Sequence, residues 1–311
     1  MMWDDGIPSR LRRWAGSVEV PGHPDANALR FRFRPCDGAA SVPSPPSTPA
    51  TAGPRPPADG PGPVAGCAVL YHGGGNDRLF GFGYVIERLL AAGFSVLTGH
   101  LPGHGAGGTD LFDVDAVRHR VDALLACARR SLAHAQGKVV VLGQSLGGSF
   151  ALDQVTRGVR ADKVITVSAP TSIPRHMELF KEVGCLLRAA AWRATLYGGP
   201  LKALPAYRGF RRADFPVRVR PGAHYIKEFA QAVESLDLPA RLASLPPHPS
   251  PPALLLVHGT RDGVIPVEQA HELSAALGDR ATLLELPRLH HLDPLLDRKT
   301  VDTIVGVLLR G

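Results

Sequence analysis

From Cys67 onward the sequence alternates short apolar runs with helix-length segments, and this alternation restricts the chain to few architectures. The apolar runs are Cys67–Tyr71, Ser95–Thr98, Lys138–Leu142, Lys163–Val167, Ala253–Val257 and Thr282–Leu286. Between them fall Tyr84–Ala92, Val114–Ala135, Ser145–Thr156 and Val267–Leu277 with helical spacing, and a closing helix near Thr300–Leu309. A strand that is apolar at every position must be covered on both faces. Strands separated by helices return through crossovers, which makes them parallel neighbours. The pattern specifies an α/β fold, a mostly parallel central sheet with helices on both faces.

Upstream, Val18–Arg34 includes LRFRFR, in which Leu29, Phe31 and Phe33 fall on one side and the arginines on the other. This period of two is the signature of a half-exposed strand. Residues 41–63 read SVPSPPSTPATAGPRPPADGPGP. Proline removes backbone donors and forbids helix, and large apolar side chains are too few to support a core. A flexible, polyproline-like insertion is expected there. Because it separates two strand candidates, it is expected as a long hairpin connection, and residues 1–311 as a single domain.

No stretch approaches the roughly 18 uninterrupted apolar residues of a membrane span. The N-terminal MMWDDGIPSRLRRW has no apolar segment ahead of a small-residue cleavage site, so a cytoplasmic location is expected. Cys36, Cys67, Cys127 and Cys185 are far apart, with neither CxxC spacing nor a nearby histidine at zinc spacing. Reduced thiols are expected, with Cys127 packed on a helix and neither metal nor cofactor bound.

The alternation breaks between Pro170 and Pro252. Helical stretches are expected at Met177–Leu196 and His224–Leu236, around the basic, turn-rich YRGFRRADFPVRVRPG. Phe180, Leu186, Leu187, Trp192 and Leu196 form an apolar stripe, suited to docking or to lining a substrate path. From Thr171 to Pro249 there are 12 Lys/Arg against 6 Asp/Glu, so most of the chain's net charge of +7 sits in this segment. Arginine outnumbers lysine 29 to 6 along the chain, but no nucleic-acid-binding module accompanies it.

Chemistry is concentrated in KVVVLGQSLGGSFAL, where a strand runs through Gly143-Gln144-Ser145-Leu146-Gly147-Gly148 into a helix. Gly-x-Ser-x-Gly in this setting lifts the serine hydroxyl above the sheet on a strained turn, which needs small flanking residues. A serine is a weak nucleophile until a base takes its proton and a third group orients that base. Asp262, in LLLVHGTRDGVIPV, and a histidine in LLELPRLHHLDPL both lie in loops leaving later strands, 117 and 29 residues further on. Parallel strands bring such loops to one sheet edge. His291, followed by Leu292-Asp293-Pro294, is favoured over His290. An oxyanion hole needs two backbone N–H donors. Leu146 should supply one, and the loop Tyr71-His72-Gly73-Gly74-Gly75-Asn76 the other, through Gly74 or, next, Gly73. The glycines match neither GxGxxG nor GxxxxGK[ST], which disfavours a nucleotide.

In this order HGGG, GHLPGHGAGG, GQSLGG, HGTRDGVIP and HHLDP resemble the α/β-hydrolase superfamily, over about Ala68 to Leu309. Within it they are similar to the group of monoacylglycerol lipases, lysophospholipases, carboxylesterases and serine aminopeptidases. The resemblance implies a helical lid after the sixth strand, at residues 170–252, and a catalytic triad of Ser145, Asp262 and His291. Where members often carry an acidic residue before the Gly-His-Gly loop, this chain has His100-Leu101-Pro102-Gly103-His104-Gly105. His104 is expected to shape that loop.

Four functional classes follow. Ester hydrolysis through an acyl-enzyme comes first, with a small-molecule ester as partner. The lid composition points to an amphiphilic or anionic ester, guided by residues such as Arg211 and Arg212, with transient contact of the lid at a membrane surface. Aminopeptidase action would need a lid carboxylate to hold an amine; Glu178, Glu182, Glu228 and Glu234 are candidates, and nothing singles one out. Acyl transfer or carbon–carbon hydrolysis would reuse the triad, and a binding protein would have kept only the fold. Haloalkane dehalogenation needs an aspartate where Ser145 stands. The oligomeric state is left open.

Overall fold

In the computed structural model, which describes residues 15–20, 23–31, 65–76, 78–79, 81–104, 110–132, 137–159, 161–174, 182–183, 217–247 and 252–309, the expected alternation folds as one eight-stranded sheet. The strands are β1 (Ala15–Val20), β2 (His23–Phe31), β3 (Gly66–Tyr71), β4 (Phe94–Thr98), β5 (Lys138–Gln144), β6 (Lys163–Val167), β7 (Ala253–Gly259) and β8 (Ala281–Leu286). Their order is β1-β2-β4-β3-β5-β6-β7-β8. β3 to β8 pair in parallel, while β1 and β2 form an antiparallel edge against β4.

The helices are α1 (Gly83–Ala91), α2 (Val114–Ser131), α3 (Leu146–Thr156), α4 (Tyr225–Ser235), α5 (Leu238–Ala243), α6 (Glu268–Leu277), α7 (Asp293–Leu296) and α8 (Arg298–Leu309). Local chemistry fixes several ends. Asp113 caps α2 by accepting the amides of Asp115 and Ala116. Gly278, at φ 55°, takes the left-handed turn that ends α6.

Strand side chains divide by parity into two cores. Val69, Tyr71, Val139, Val141, Val164, Leu254 and Leu256 pack on one face with residues of α2, α3, α5 and α6. Ala68, Leu70, Val140, Leu142, Ile165, Leu255 and Val257 pack on the other with α1 and α8. This is why the central strands read as continuous apolar runs.

Two expectations change. The stretch read as one strand, Val18–Arg34, is a hairpin of β1 and β2, paired from Ala15↔Phe31 to Val20↔His23. Pro21-Gly22, a turn-forming pair, lies between the two strands, where alternation alone suggested continuity. The proline-rich residues 41–63 lie outside the described residues. They connect β2 to β3, between which β4 is inserted, so they are not a hairpin connection. Between β6 and β7 the described residues include α4, inside the expected His224–Leu236, and the unexpected short α5. The helix expected at Met177–Leu196 falls outside them apart from 182–183, as do Arg211 and Arg212. Cys67 is buried and Cys127 half-buried on α2, while Cys36 and Cys185 are outside. Among the described residues no helix is long and apolar enough to cross a membrane.

One buried charge organises the helical layer. Asp153 on α3 is fully buried and accepts from Arg118 Nε and Nη2 at 3.1 and 2.9 Å, from Arg157 Nε at 2.7 Å and from Arg241 Nη1 at 2.9 Å. Burial opposes its ionisation, but the hydrogen bonds from Arg118 and Arg157 hold the carboxyl below the usual aspartate range. Asp153 thereby ties α2, α3 and α5 together. Replacing it with Ala leaves three guanidinium groups facing a void, at an expected cost of about 2–4 kcal/mol. Urea denaturation measures this, and a loss under about 1 kcal/mol would show that the three arginines find water instead.

Candidate active site

β5 ends at Gln144 and α3 begins at Leu146, leaving Ser145 alone to make the turn, at φ 50° and ψ −123°. A non-glycine residue held there costs about 1–3 kcal/mol and persists only when its surroundings enforce it. Here the Ser145 amide donates to Val167 O at 2.8 Å, and its carbonyl accepts from Gly148 at 2.7 Å. The glycines are steric necessities. A Cβ on Gly143 would overlap the Gly147 carbonyl oxygen, and one on Gly147 would overlap that of Tyr71.

Leu146 opens α3, so its amide has no acceptor within the helix. The amides of Gly73 and Gly74, after β3, also have no acceptor among the described residues. Two histidines shape this glycine loop. His72 Nε2 accepts the Leu101 amide at 2.9 Å while Nδ1 donates to Gly73 O at 2.8 Å. His104 Nε2 accepts the Gly75 amide at 3.0 Å while Nδ1 donates to Pro102 O at 2.9 Å. An imidazole that accepts at one nitrogen must be neutral. Burial, reinforced by the neighbouring His72, pushes the His104 pKa down to about 3. Phe229 of α4 covers the loop: a Cβ on Gly74 would lie 2.6 Å from its ring, which stacks on His104 at 5.7 Å and meets Phe112 at 4.7 Å.

The acid and base candidates meet. Asp262, after β7, anchors its own loop by accepting the amides of Val264 and Ile265 on Oδ1 at 2.9 and 2.8 Å. Its Oδ2 faces His291 Nδ1 at 2.8 Å and His258 Nε2 at 3.3 Å. His290 makes no contact of this kind; its Nδ1 lies 3.4 Å from Glu182. Burial opposes ionisation of Asp262, yet the His291 charge and the hydrogen bonds from His258 and His291 hold its carboxyl far below the usual range. Burial likewise opposes a charged His291, but Asp262, with a smaller contribution from Glu182, raises the ring above its ordinary value of 6.5. Facing an ionised carboxylate, Nδ1 carries the proton and Nε2 holds a lone pair.

That lone pair is occupied. The Gln144 amide nitrogen lies 3.2 Å from His291 Nε2, and its carbonyl oxygen is 3.5 Å from Asn76 Nδ2 beside Gly73. The Ser145 hydroxyl makes no hydrogen bond among the described residues. The structure thus joins Asp262 to His291 and holds the Ser145 and His291 segments together through Gln144, with the Ser145 hydroxyl itself unengaged. A cavity of about 610 Å³ opens beside Asp262 and His290, and Ser145 does not line it. Among the described residues no group of three or more His, Cys, Asp or Glu is placed to hold a metal ion. The sequence gives no mark for His258 or Gln144 as site residues. Only the separation of four between His258 and Asp262, one at a strand's end and one in its loop, hints at their contact.

The fold is shared with known enzymes. A monoacylglycerol lipase from Paleococcus ferrophilus superposes with a TM-score of 0.54 at 22% identity, over 79% of this chain and 95% of that one. A soluble variant of monoglyceride lipase from Saccharomyces cerevisiae gives 0.61 at 14% identity, over 97% and 96%. An esterase from Exiguobacterium antarcticum gives 0.54 at 19%, over 80% and 93%. No curated protein sequence matches the chain. Residues 62–293, spanning the sheet from β3 through the loops of Asp262 and His291, match the family Hydrolase_4, serine aminopeptidase, S33. With that match across most of its length and the parallel sheet behind it, the chain belongs to the serine aminopeptidase S33 family of α/β hydrolases.

Proposed function

We propose that this hydrolase cleaves carboxylic esters through an acyl-enzyme on Ser145, in the manner of a carboxylesterase or monoacylglycerol lipase. The observation that carries the reading is the Asp262 Oδ2 to His291 Nδ1 contact at 2.8 Å, with Nε2 turned toward the strand end that bears Ser145. Once substrate displaces the Gln144 amide, His291 Nε2 takes the Ser145 proton as Oγ attacks the acyl carbon. The carbonyl electron pair moves to oxygen, which the amides of Leu146 and Gly74 stabilise. Collapse expels the alcohol, protonated from Nε2, and water repeats the sequence to release the acid.

The segment from 170 to 252 serves as a lid: its buried Phe229, packed against Phe112, covers the glycine loop, and the exposed Tyr225 packs beside Phe229. This suits an apolar acyl chain, and solved neighbours of the same fold are monoacylglycerol lipases and an esterase. The electrostatic guiding role is narrower than the charge count suggests. Arg218 pairs with Asp110, Arg220 with Glu228, and Arg241 with Asp153.

The aminopeptidase alternative needs an uncommitted lid carboxylate. Among the described residues both oxygens of Glu182 accept backbone amides, Glu228 pairs with Arg220, and Glu234 lies exposed on α4. Glu234 alone of these is uncommitted and Glu178 lies outside the described residues, so the ester reading is preferred on the aromatic cover of the glycine loop. The test is a panel of p-nitrophenyl esters, monoacylglycerols and aminoacyl amides, alongside labelling with a fluorophosphonate. Ester turnover with labelling is expected. Its kcat/KM should rise with pH through a value above 6.5, because only neutral His291 acts as base and its partners favour the charged ring. No labelling would overturn the mechanism, and turnover confined to aminoacyl amides would replace the ester reading.

A further inference from the structure

Glu182 is almost completely buried, 2% exposed, yet among the described residues neither oxygen faces a lysine or arginine. Oε1 accepts the Gly263 amide at 2.6 Å and Oε2 accepts the His291 amide at 3.2 Å. These donors belong to two different loops, the one that carries Asp262 and the one that carries His291. His290 Nδ1 lies 3.4 Å from Oε1, within ion-pair range but without hydrogen-bond geometry. Glu182 comes from the segment between β6 and β7, not from the strands that deliver the acid and the base.

The contacts close a ring. Asp262 is bonded covalently to Gly263, whose amide reaches Glu182; Glu182 reaches the His291 amide, and the His291 ring returns to Asp262. The two loops are joined at their bases by the Arg261 amide to Leu289 O at 3.0 Å and the Arg288 amide to Thr260 Oγ1 at 3.1 Å, and nearest the acid and base they are held by the Asp262–His291 side chains and by a carboxylate gripping both backbones. A buried carboxylate is expensive unless hydrogen bonds compensate it. A simple spacer between two loops would not need a charge.

We propose that Glu182 is a positioning residue for the Asp262–His291 pair, a carboxylate clamp through which the inserted segment sets the geometry of the acid and base loops. The proposal rests on those two residues forming the catalytic pair. A second consequence is electrostatic. Among the described residues the groups facing His291 are Asp262 from the β7 loop, Glu182 from the insertion and the neutral Gln144 from β5, with His258 acting through Asp262. The Glu182 charge adds to that of Asp262 in favouring protonated His291.

The test compares wild type with Glu182→Gln and Glu182→Asp. In Glu182→Gln the amide group must turn its NH2 toward one of the two backbone donors, so one contact becomes repulsive and the charge is lost. Its kcat should fall by about 10- to 100-fold, the scale of a small misplacement of reacting groups, with KM nearly unchanged. The acid limb of its kcat/KM profile should move to lower pH, and the His291 ring should titrate at lower pH by NMR. Glu182→Asp keeps the charge but cannot span both amides, so its kcat should fall while the titration stays near that of wild type. A folded Glu182→Gln with wild-type kcat and titration would overturn the proposal. So would a loss of thermal stability with the titration unmoved, which is a merely structural role. If Glu182→Gln does not fold, amide exchange in the wild type decides: the Gly263 and His291 amides should exchange as slowly as those of β7, and exchange at open-loop rates refutes the clamp. Absence of fluorophosphonate labelling in wild type would defeat the serine-hydrolase reading alone, because the His291 titration still reports on Glu182.

Discussion

Ser145→Ala is expected to eliminate fluorophosphonate labelling and to lower ester turnover by about 10⁴- to 10⁶-fold, the range over which serine triads lose kcat when the nucleophile is removed. The fold should be untouched, and the structure says why. The Ser145 hydroxyl makes no hydrogen bond among the described residues, so its removal orphans no partner. Its backbone, at φ 50° and ψ −123°, is held by Val167 O and by the first turn of α3, and alanine retains the Cβ responsible for the strain. Ser145→Gly separates the two effects: it should be equally inactive yet more stable, by about 1 kcal/mol, because glycine enters this region without the Cβ penalty. Thermal unfolding and labelling measured on both variants check the pair of expectations. Labelling that survives in Ser145→Ala would move the nucleophile elsewhere.

How much of this could be read from the sequence depended on whether the information was local. Strands β3 to β7 were legible because burial on both faces forces uninterrupted apolar runs such as Val139–Leu142, while β8, a half-buried edge strand, was legible from its Leu283, Leu284 and Leu286. The turn at Ser145 was legible because its steric demands fall on immediate neighbours, Gly143 and Gly147. Asp262 and His291 could be proposed because loops leaving parallel strands converge at one edge. Gln144, His258 and Glu182 could not be ranked, since their roles come from distances across elements far apart in sequence. Glu182 and His291 are separated by 109 positions and meet only after β6, β7 and β8 have paired. The division of Val18–Arg34 into two strands had the opposite cause. Alternation persists on both sides of Pro21, so periodicity alone conceals the turn. The charges between β6 and β7 show a third limit: a count of +6 between Thr171 and Pro249 cannot tell that Arg218, Arg220 and Arg241 already have carboxylate partners.

Asp262→Asn should cost about 10⁴-fold in kcat, the size of the wrong-tautomer penalty in Ser-His-Asp triads, while leaving KM and the fold largely in place. Geometry fixes which way the new amide points. Oδ1 accepts the Val264 and Ile265 amides at 2.9 and 2.8 Å, so an asparagine must keep its oxygen there, since the flipped amide would point NH2 at two N–H donors. The amide nitrogen is then forced into the place of Oδ2, opposite His291 Nδ1. A donor in that position obliges Nδ1 to become an acceptor, and the ring proton moves to Nε2. Nε2 can then no longer receive the Ser145 proton, although every heavy atom is close to where it was. Stability should change in a pH window set by the two shifts. Asp262 is held below its ordinary value, so its contribution is present above the unfolded value of 3.8 and fades as pH falls below it. His291 is held above its ordinary value, so its contribution is complete below 6.5 and fades as pH rises through its folded value. The wild type and Asp262→Asn should therefore differ most in unfolding free energy between about pH 4 and the raised His291 value, and converge in stronger acid. Denaturation across pH, combined with single-turnover kinetics, tests both halves. If Asp262→Asn kept kcat within about tenfold of wild type, the orienting role of Asp262 would be lost, because this loop leaves the asparagine no other way to point.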